Sequence, residues 1–285
     1  MNKTTFLCVG GDARQIYMSQ SLSEYGRVYT YGISEFSGKT VRLESLSEMP
    51  EKADILVLPL MKDELTKVEC GEKGIADCSE FVSHLKKKAI VTGGRLSTQQ
   101  IEFFSALGFD VTDYFKRKEL VIKNCIPTAE GALQLAMQEL ATTIYKSRVL
   151  IIGYGNVAKA CAKLFDAVGA RTVCSARKLS ALAEAENAGL EAFHLNELYG
   201  HIDSFDLIIN TVPAMILDES LLKAVAKDAL IIDLASNPGG VDFDAASRLN
   251  KRVIHALSLP GKVAPVTSGE IIAKAVRNVI IERGG

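Results

Sequence analysis

The sequence predicts an α/β protein with two open parallel-sheet domains joined by long helices. Short apolar runs alternate with helical segments along the 285 residues, and strands separated by helices need crossover connections, which produce parallel sheets. The alternation stops at a helix-forming segment, "IPTAEGALQLAMQELATTIY", and restarts at "SRVLIIGYG". Because 48% of the residues are hydrophobic, the chain has enough apolar side chains for two cores.

Composition excludes several classes of protein. The formal net charge of −1 is spread along the chain, whereas nucleic-acid binders are usually basic. No apolar run reaches the roughly 18 residues of a membrane span, and the apolar run in "MNKTTFLCVGGD" is too short for a signal peptide. The six cysteines and four histidines show no metal-ligand spacing. We therefore expect a cytoplasmic protein without a metal, a membrane or a nucleic-acid partner.

Residues 1–126 are predicted to form an N-terminal flavodoxin-like domain that binds the substrate. Its strand candidates are "TTFLCVGG", "RVYTYG", "ADILVLPL", "KAIVTGG" and "FDVTDYF". Residues 127–267 are predicted to contain a linker helix, entered at Pro127, and the second sheet domain. Residues 268–285 are predicted to be a helix, capped by Ser268, that packs back toward the first domain.

Two turns of the first domain carry cations. In "VGGDARQ", Asp12 leads into a helix and Arg14 stands in its first turn, and a helix N-terminus with an arginine favours an anion. The turn "VTGGR" places Arg95 after the fourth strand candidate. Together they indicate a substrate with more than one carboxylate. The alternative is that either arginine is an ordinary surface residue.

The second domain opens with a dinucleotide-binding pattern. The segment from Gly153 to Ala158 fits G-x-G-x-x-A, follows the apolar strand "VLII" and begins a helix. Gly153 permits the tight turn, and Gly155 lets a pyrophosphate approach the N-terminal residues Asn156 and Val157 of the helix. This predicts a Rossmann domain. The alternative is a glycine turn without a ligand.

The end of the next strand candidate lacks the acid that NAD-binding domains use for the ribose hydroxyls. In "TVCSARK", Ser175, Arg177 and Lys178 offer a hydroxyl and two cations instead. These groups suit a 2′-phosphate, so the sequence predicts NADP as the cofactor. The alternative is that the two cations form a solvated helix start.

Two further loops follow strand candidates of this domain. Thr211, Val212 and Pro213 end one strand, and Ala235 and Ser236 end the next. Ligands of open α/β sheets bind at these strand ends, so we expect both loops to lie near the nicotinamide. Ordinary loop chemistry is the alternative.

A lone cation, Lys262, lies in the proline- and glycine-rich segment "LSLPGKVAPVTSG". It is a candidate to bind a carboxylate or to transfer a proton, and a plain surface lysine is the alternative. No G-x-S-x-G motif or histidine-paired nucleophile occurs, which argues against hydrolysis.

Four segments resemble the A-subunit family of dipicolinate synthases: "VGGDARQ", "IPTAEGALQLAMQEL", "IDLASNPGGVDF" and "LPGKVAPVTSGEI". They occur in family order between residue 5 and about residue 275. More distantly, the layout is similar to that of the two-domain formate and glycerate dehydrogenases. The resemblance implies an NADP-dependent oxidoreductase that works with a flavoprotein-like B subunit. Together they would form dipicolinate from the dihydrodipicolinate-level intermediate of the lysine pathway, in the mother cell of a sporulating bacterium.

The implied substrate, a small cyclic dicarboxylate, suggests roles for the cations. We expect Arg14, Arg95 and Lys262 to bind carboxylates, Asp12 and Lys262 to be the catalytic candidates, and the chain to be a homo-oligomer. Two rival functions stay open: a stand-alone 2-oxo-acid, hydroxy-acid or amino-acid dehydrogenase, and a non-catalytic NADPH-binding scaffold for the B subunit. The identity of the base, the stoichiometry with the B subunit, and the order of dehydration and oxidation are undetermined.

Overall fold

The computed structural model describes residues 4–33, 39–62 and 66–283. The chain divides into two compact units, one made of Met1–Asn124 with Ala264–Gly285 and the other of Cys125–Val263. Each unit carries a six-stranded sheet whose paired strands are all parallel. The prediction of two open parallel-sheet domains is confirmed.

The first unit alternates strands and helices in the predicted way. Its strands are β1 Thr4–Val9, β2 Gly26–Tyr31, β3 Val41–Leu43, β4 Ala53–Leu60, β5 Lys67–Glu69, β6 Ile75–Asp77, β7 Leu85–Gly94 and β8 Asp110–Asp113. Its helices before the second unit are α1 Ala13–Leu22, α2 Cys78–Val82, α3 Thr98–Ala106 and α4 Lys118–Glu139, the last of which continues into the second unit.

The strand order of the first sheet is β3-β2-β1-β4-β7-β8, and β5 pairs only with β6 as an antiparallel hairpin. Without the three-residue edge strand β3, the order is the 2-1-3-4-5 order of flavodoxin-like folds. The direction of winding reverses between β1 and β4. Ligands of such sheets bind beyond the carboxyl ends of the strands at this reversal.

The core of this unit covers both faces of the sheet. Leu7 and Val9 of β1 belong to one buried cluster, and Phe6 and Cys8 belong to another. Successive side chains of a strand point to opposite faces, so these two clusters lie on the two sides of the sheet. The continuous apolar run of β1 therefore reflects burial on both faces, as is usual for central strands of parallel sheets.

The second unit contains a complete six-stranded sheet with the order β11-β10-β9-β12-β13-β14. Its strands are β9 Arg148–Ile152, β10 Arg171–Ala176, β11 Glu191–His194, β12 Leu207–Asn210, β13 Leu230–Asp233 and β14 Arg252–His255. Its helices are α5 Asn156–Ala167, α6 Leu179–Asn187, α7 Glu219–Ala224, α8 Phe243–Arg248 and α9 Leu259–Val263. This is the 3-2-1-4-5-6 order of dinucleotide-binding sheets, with its reversal between β9 and β12.

The last helix, α10 Pro265–Glu282, belongs to the first unit. A Cβ atom at Gly269 would lie 2.6 Å from the backbone oxygen of Arg14, so glycine allows α10 to approach α1 closely. The predicted cap at Ser268 is wrong, because the helix begins at Pro265 and Ser268 is buried inside it. The C-terminal segment of the first unit therefore begins at Ala264, not at residue 268.

Helix α4 also differs from the prediction. It begins at Lys118 and ends at Glu139, so Pro127 lies inside it instead of at its entry. A proline can be tolerated inside a helix although it removes one N–H donor. The helix-forming residues before it extend the helix by more than two turns, and residues 140–145 are not helical. No helix of the described ranges is long and apolar enough to cross a membrane.

Candidate functional site

The turn after β9 is shaped by Gly153. Its φ angle is 99°, a conformation that favours glycine, and its N–H donates a 2.8 Å hydrogen bond to the carbonyl of Ser175. A Cβ atom here would lie 2.5 Å from Thr211 Oγ1. The fold itself therefore requires this glycine.

Gly155 is different, because no contact among the described residues requires it to be a glycine. It is the N-terminal cap of α5 with an ordinary φ of −82°, and a Cβ atom here would meet no atom within 4 Å. Asn156 beside it is exposed and Val157 is half-buried. The open space therefore borders the unpaired N–H groups at the start of a 12-residue helix. These features fit a dinucleotide pyrophosphate.

Ser175, Arg177 and Lys178, the three residues predicted to bind the ribose phosphate, differ in burial at the end of β10. Ser175 is completely buried between Ile152 and Phe193 of the neighbouring strands, and its Oγ has no hydrogen-bond partner. This position corrects the prediction for Ser175, since its hydroxyl is closed to a ligand at the strand end. Arg177 and Lys178 are exposed directly after the strand.

Lys178 is the N-cap of α6, and its side chain forms no cap hydrogen bond. The backbone oxygen of Arg177 lies 3.0 Å from His194 Nε2 on the neighbouring strand. Exposed Ser180 stands in the first turn of α6. Two cations and an unblocked helix start are therefore gathered at this strand end.

The loop after β12 is tied to β9. Thr211 donates from its N–H and from its Oγ1 to the carbonyl of Ile152, at 3.0 and 2.9 Å. The N–H of Val212 donates to Asn210 Oδ1 at 3.2 Å, and Pro213 is exposed. This loop lies where the winding of the second sheet reverses, beside the turn of Gly153.

A buried polar pair that the sequence analysis missed organises the same edge. Asn210 Nδ2 donates to Asp233 Oδ1 at 2.8 Å, and both residues are fully buried. The Asp233 carboxylate also accepts the N–H groups of Ala235 at 3.1 Å and Gly240 at 2.9 Å. Ala235 is thereby held in the interior, and Ser236 is exposed. The available signal was a polar residue ending each of two apolar strands, "LIIN" and "LIID".

In the first unit, Arg14 and Asp12 form an ion pair with each other. Asp12 caps α1, and its carboxylate accepts from Arg14 Nε at 2.9 Å and Nη2 at 2.5 Å. Partial burial favours a higher pKa for Asp12, yet the hydrogen bonds and charge of Arg14 together hold that pKa below its usual value. Arg14 is buried. The arrangement argues against Asp12 as a base and against Arg14 as a free carboxylate ligand.

The other two predicted cations lie elsewhere. Arg95 has a φ of 56° and is exposed, and its N–H donates to Asp113 Oδ1 at 3.1 Å. Lys262 is exposed in α9 of the second unit, where a loop was expected. The roles of Arg95 and Lys262 as carboxylate ligands remain predictions.

A cavity of about 300 Å³ opens at the reversal between β1 and β4 of the first sheet. Its walls come from the turn after β1, the end of β4 and the hairpin β5–β6. The lining residues are Gly11, Asp12, Gln15, Pro59, Leu60, Met61, Lys62, Lys67, Val68, Glu69 and Ile75. Neither Arg14 nor Arg95 is among them.

Comparison with known proteins identifies the family. Residues 5–115 match the N-terminal domain of the dipicolinate synthase A-subunit, and residues 127–259 match the NAD binding domain of D-isomer specific 2-hydroxyacid dehydrogenases. The dipicolinate synthase A-subunit of Bacillus subtilis (strain 168) is 31% identical over 282 residues, which cover 96% of this chain and 95% of that protein. The chain belongs to the dipicolinate synthase A-subunit family.

Solved structures agree with this assignment. The dipicolinate synthase A-subunit structure from Bacillus halodurans has a TM-score of 0.89 at 28% identity and covers 98% of both chains. That from Bacillus subtilis has a TM-score of 0.86 at 29% identity, covering 99% of this chain and 97% of the other. The transhydrogenase of Sinorhizobium meliloti, at 12% identity and a TM-score of 0.72, shares the fold over 97% of this chain and 92% of its own.

The predicted family is therefore confirmed, and the second unit is a nicotinamide-dinucleotide-binding domain of the dehydrogenase type. Membership of the dipicolinate synthase A-subunit family together with this domain makes the chain an oxidoreductase.

Proposed function

We propose that this chain is the NADP-dependent dehydrogenase component that forms dipicolinate from a dihydrodipicolinate-level precursor, together with a B subunit. The observation that carries the choice of NADP is the end of β10. Arg177 and Lys178 are exposed there beside the uncapped start of α6, and no acid stands in the segment "SARK". A 2′-phosphate would find two cations and free N–H groups at this place.

The remaining parts of the second unit suit the rest of the cofactor. Gly155 and the start of α5 would hold the pyrophosphate, with Asn156 and Val157 at the helix entrance. The loops from Thr211 to Pro213 and from Ala235 to Ser236 would hold the nicotinamide. The first loop follows β12, which is next to β9, and the second follows β13, which is next to β12. NADP supplies a hydride acceptor when it is bound.

The reaction needs little from the protein besides positioning and one proton acceptor. A dihydropyridine dicarboxylate becomes dipicolinate by losing a hydride and a proton, so the products are dipicolinate, NADPH and H⁺. Cations would orient the two carboxylates. Lys262 and Arg95 were the sequence candidates for this role, and neither lines the cavity of the first unit. Family membership supports this substrate, since the relatives carry the name dipicolinate synthase.

The direct test is turnover by the purified chain. Freshly generated precursor and NADP would be supplied with and without purified B subunit, and dipicolinate would be measured by mass spectrometry alongside NADPH absorbance. We expect NADPH and dipicolinate to form in equal amounts. Dipicolinate formation without NADPH would contradict the proposal. NADPH binding with no turnover under either condition would favour the scaffold function instead.

A stand-alone 2-hydroxyacid dehydrogenase is the second candidate, favoured by the match of residues 127–259. Such enzymes pair a histidine with an acid. Here the His255 ring packs on Phe243 with centroids 4.9 Å apart, and the His201 ring packs on Phe193 at 4.7 Å. His194 contacts the backbone of Arg177. His255 is also the register neighbour of Asp233, so these contacts do not choose between the two functions. Assays with 2-oxo acids and NADPH would separate them.

A further inference from the structure

We propose that the cavity between β1 and β4 binds the cyclic dicarboxylate, and that Gln15 accepts a hydrogen bond from an N–H or O–H group of that ligand. The inference rests on the proposed function, because it names the residues that would recognise its substrate. It replaces the predicted pair of Arg14 and Asp12, which bond to each other.

Gln15 carries an acceptor that no group of the described residues satisfies. The residue is 2% exposed, and its Oε1 is buried without a hydrogen-bond partner. Its Nε2 lies 3.4 Å from the hydroxyl of Tyr114, which in turn donates to the carbonyl of Leu58 at 3.2 Å. Because a phenol has a single hydrogen, Tyr114 must accept from Gln15. This places Nε2 toward Tyr114 and leaves Oε1 needing a donor.

An unmet acceptor of this kind is costly. Buried polar groups almost always have a hydrogen-bond partner. A buried group without a partner has lost its hydrogen bonds to water and gained none in the protein. Gln15 is the third residue of α1, where a glutamine often turns back to the helix cap, but here the side chain points to Tyr114 and lines the cavity. Because Oε1 itself has almost no accessible surface, the Gln15 amide would have to turn toward the cavity for a ligand donor to reach it and remove this cost.

The cavity lies at the expected place for a ligand. It is bounded by the turn after β1 and by the end of β4, where the winding of the sheet reverses. Open α/β sheets bind ligands at such reversals. Its volume of about 300 Å³ is at the lower end of the range for small-molecule sites, which suits a single ring with two carboxylates.

The wall is held in position by Gly11. Its N–H donates to the carbonyl of Glu69 at 3.0 Å and so fixes the hairpin β5–β6 against the turn. Gly11 has a φ of 95°, and a Cβ atom here would lie 2.4 Å from Gln15 Cγ and 2.7 Å from Pro59 Cβ. Glycine therefore leaves the space that the Gln15 side chain occupies.

The charges of the lining residues favour a carboxylate. Asp12 is paired with Arg14, and Lys62 is paired with Glu69. With these pairs formed, exposed Lys67 is the remaining charged residue of the lining named above, and Asp77, which stands opposite it in the hairpin, lies outside that lining. Ile75, which is 68% exposed on the hairpin, offers an apolar surface for the ligand ring. The ligand class is a small ring that carries a carboxylate and a donor group.

The test is calorimetric titration of the full chain with two dicarboxylates of the same spacing. Piperidine-2,6-dicarboxylate has ring N–H donors, and benzene-1,3-dicarboxylate has none. We expect Gln15→Met to weaken binding of the piperidine by about 5- to 10-fold, the loss of one hydrogen bond, and to leave the benzene compound within twofold. Since each probe is compared with itself, the different charges of the two probes cancel.

Two further variants keep the test decisive. Gln20→Met, a half-buried position of the same helix outside the cavity lining, should leave both probes unchanged. Lys67→Ala removes an exposed side chain and should weaken both probes by about 10-fold, the effect of one charge-assisted hydrogen bond. If Gln15→Met does not fold, Lys67→Ala still decides the location of the site.

Equal effects of Gln15→Met on both probes, or unchanged binding in Lys67→Ala, would overturn the inference. So would the absence of binding of either probe to the unmodified chain. These outcomes differ from a failure of the proposed function, which is shown by the unmodified chain with the B subunit making no dipicolinate. Normal turnover with unaltered probe binding in both variants would remove the cavity assignment alone.

Discussion

Asn210 donates a 2.8 Å hydrogen bond to Asp233 across the ends of the neighbouring strands β12 and β13, and both side chains are fully buried. The same carboxylate accepts the N–H groups of Ala235 and Gly240. One side chain therefore joins the two loops that we propose to hold the nicotinamide. The geometry of both loops therefore depends on this carboxylate as well as on the hydrogen bonds of Thr211 to Ile152.

Replacing Asp233 by alanine should destabilise the protein strongly. The change leaves the backbone N–H groups of Ala235 and Gly240 buried without their acceptor, and each such group costs about 1–3 kcal/mol. Asn210 Nδ2 loses one of its two acceptors and keeps the backbone oxygen of Val212 at 3.1 Å. We expect the free energy of unfolding to fall by about 3 kcal/mol or more, measured by urea denaturation. Asp244→Ala, at an exposed position of α8, should change it by less than about 0.5 kcal/mol. Similar stability of the two variants would show that the network has no structural role.

The two glycines of the turn after β9 should respond to alanine in opposite ways. Gly155→Ala should fold with normal stability, because its φ is ordinary and its Cβ meets no atom of the described residues within 4 Å. It should bind the dinucleotide at least about 10-fold more weakly, since the new methyl group occupies the space of the pyrophosphate. Fluorescence titration with NADPH and a thermal melt measure the two properties.

Gly153→Ala is the matched variant. Its positive φ and the 2.5 Å approach of the new Cβ to Thr211 Oγ1 should lower the free energy of unfolding by about 1–3 kcal/mol. Loss of stability in Gly155→Ala, or unaltered NADPH binding in that variant, would remove the pyrophosphate from this turn.

The fold was predictable because its signals are local. Apolar runs such as "VLII" in β9 are buried on both faces, and the G-x-G-x-x-A pattern fixes a strand, a turn and a helix in sequence. Helix bounds were less predictable, since Pro127 is accommodated inside α4 and Ser268 inside α10. In both helices the residues before the expected start continue the helical conformation.

Exposure at the site was predictable only where it is decided by neighbours in sequence. Arg177 and Lys178 are exposed directly after β10, which fits both the predicted phosphate site and the alternative of a solvated helix start, so their role stays a prediction. The sequence made Arg14 look equally available to a ligand, but its guanidinium donates hydrogen bonds to Asp12, two residues before it. The environments of Gln15 and Asp233 depend on Tyr114 and Asn210, which are distant along the chain. No single-sequence pattern reports such pairings.

The ion pair of Asp12 and Arg14 predicts a pH dependence of stability. The pKa of Asp12 is lowered from its ordinary value of 3.8: burial acts to raise it, and the Arg14 hydrogen bonds and charge outweigh that effect. A group with a lowered folded pKa stabilises the protein above its unfolded pKa, and the stabilisation disappears as pH falls through the folded pKa. Asp12→Asn keeps a good helix cap and removes the charge.

We expect Asp12→Asn to lower the free energy of unfolding at pH 7 by less than about 1 kcal/mol, because the Asp12 carboxylate is half exposed and screened by solvent. The difference from the unmodified chain should shrink below about pH 4 as Asp12 takes up a proton. Urea denaturation at pH 7, 5 and 3 measures it. Glu24→Gln, at an exposed position after α1, serves as the control. A difference that grows toward low pH would contradict the assigned ion pair.

The cations after β10 should decide between the two nicotinamide cofactors. Arg177 and Lys178 each offer a charge-assisted hydrogen bond to a 2′-phosphate, with a typical contribution of about 1.5–3 kcal/mol. Removing either side chain as Arg177→Ala or Lys178→Ala should therefore weaken NADPH binding by about 10- to 100-fold. NADH lacks that phosphate, so its affinity should change by less than about threefold. Titration of each variant with both nucleotides measures the selectivity.

Lys227→Ala is the matched control for these cations. Lys227 is also exposed, but it lies before β13, at the opposite edge of the same sheet from the end of β10. General loss of positive charge would weaken NADPH binding in all three variants, whereas a phosphate site at the end of β10 is affected only by Arg177 and Lys178. If the unmodified chain binds NADH as tightly as NADPH, these two residues have no role in selectivity. The choice of NADP would then be wrong, while the pyrophosphate site at Gly155 would be unaffected.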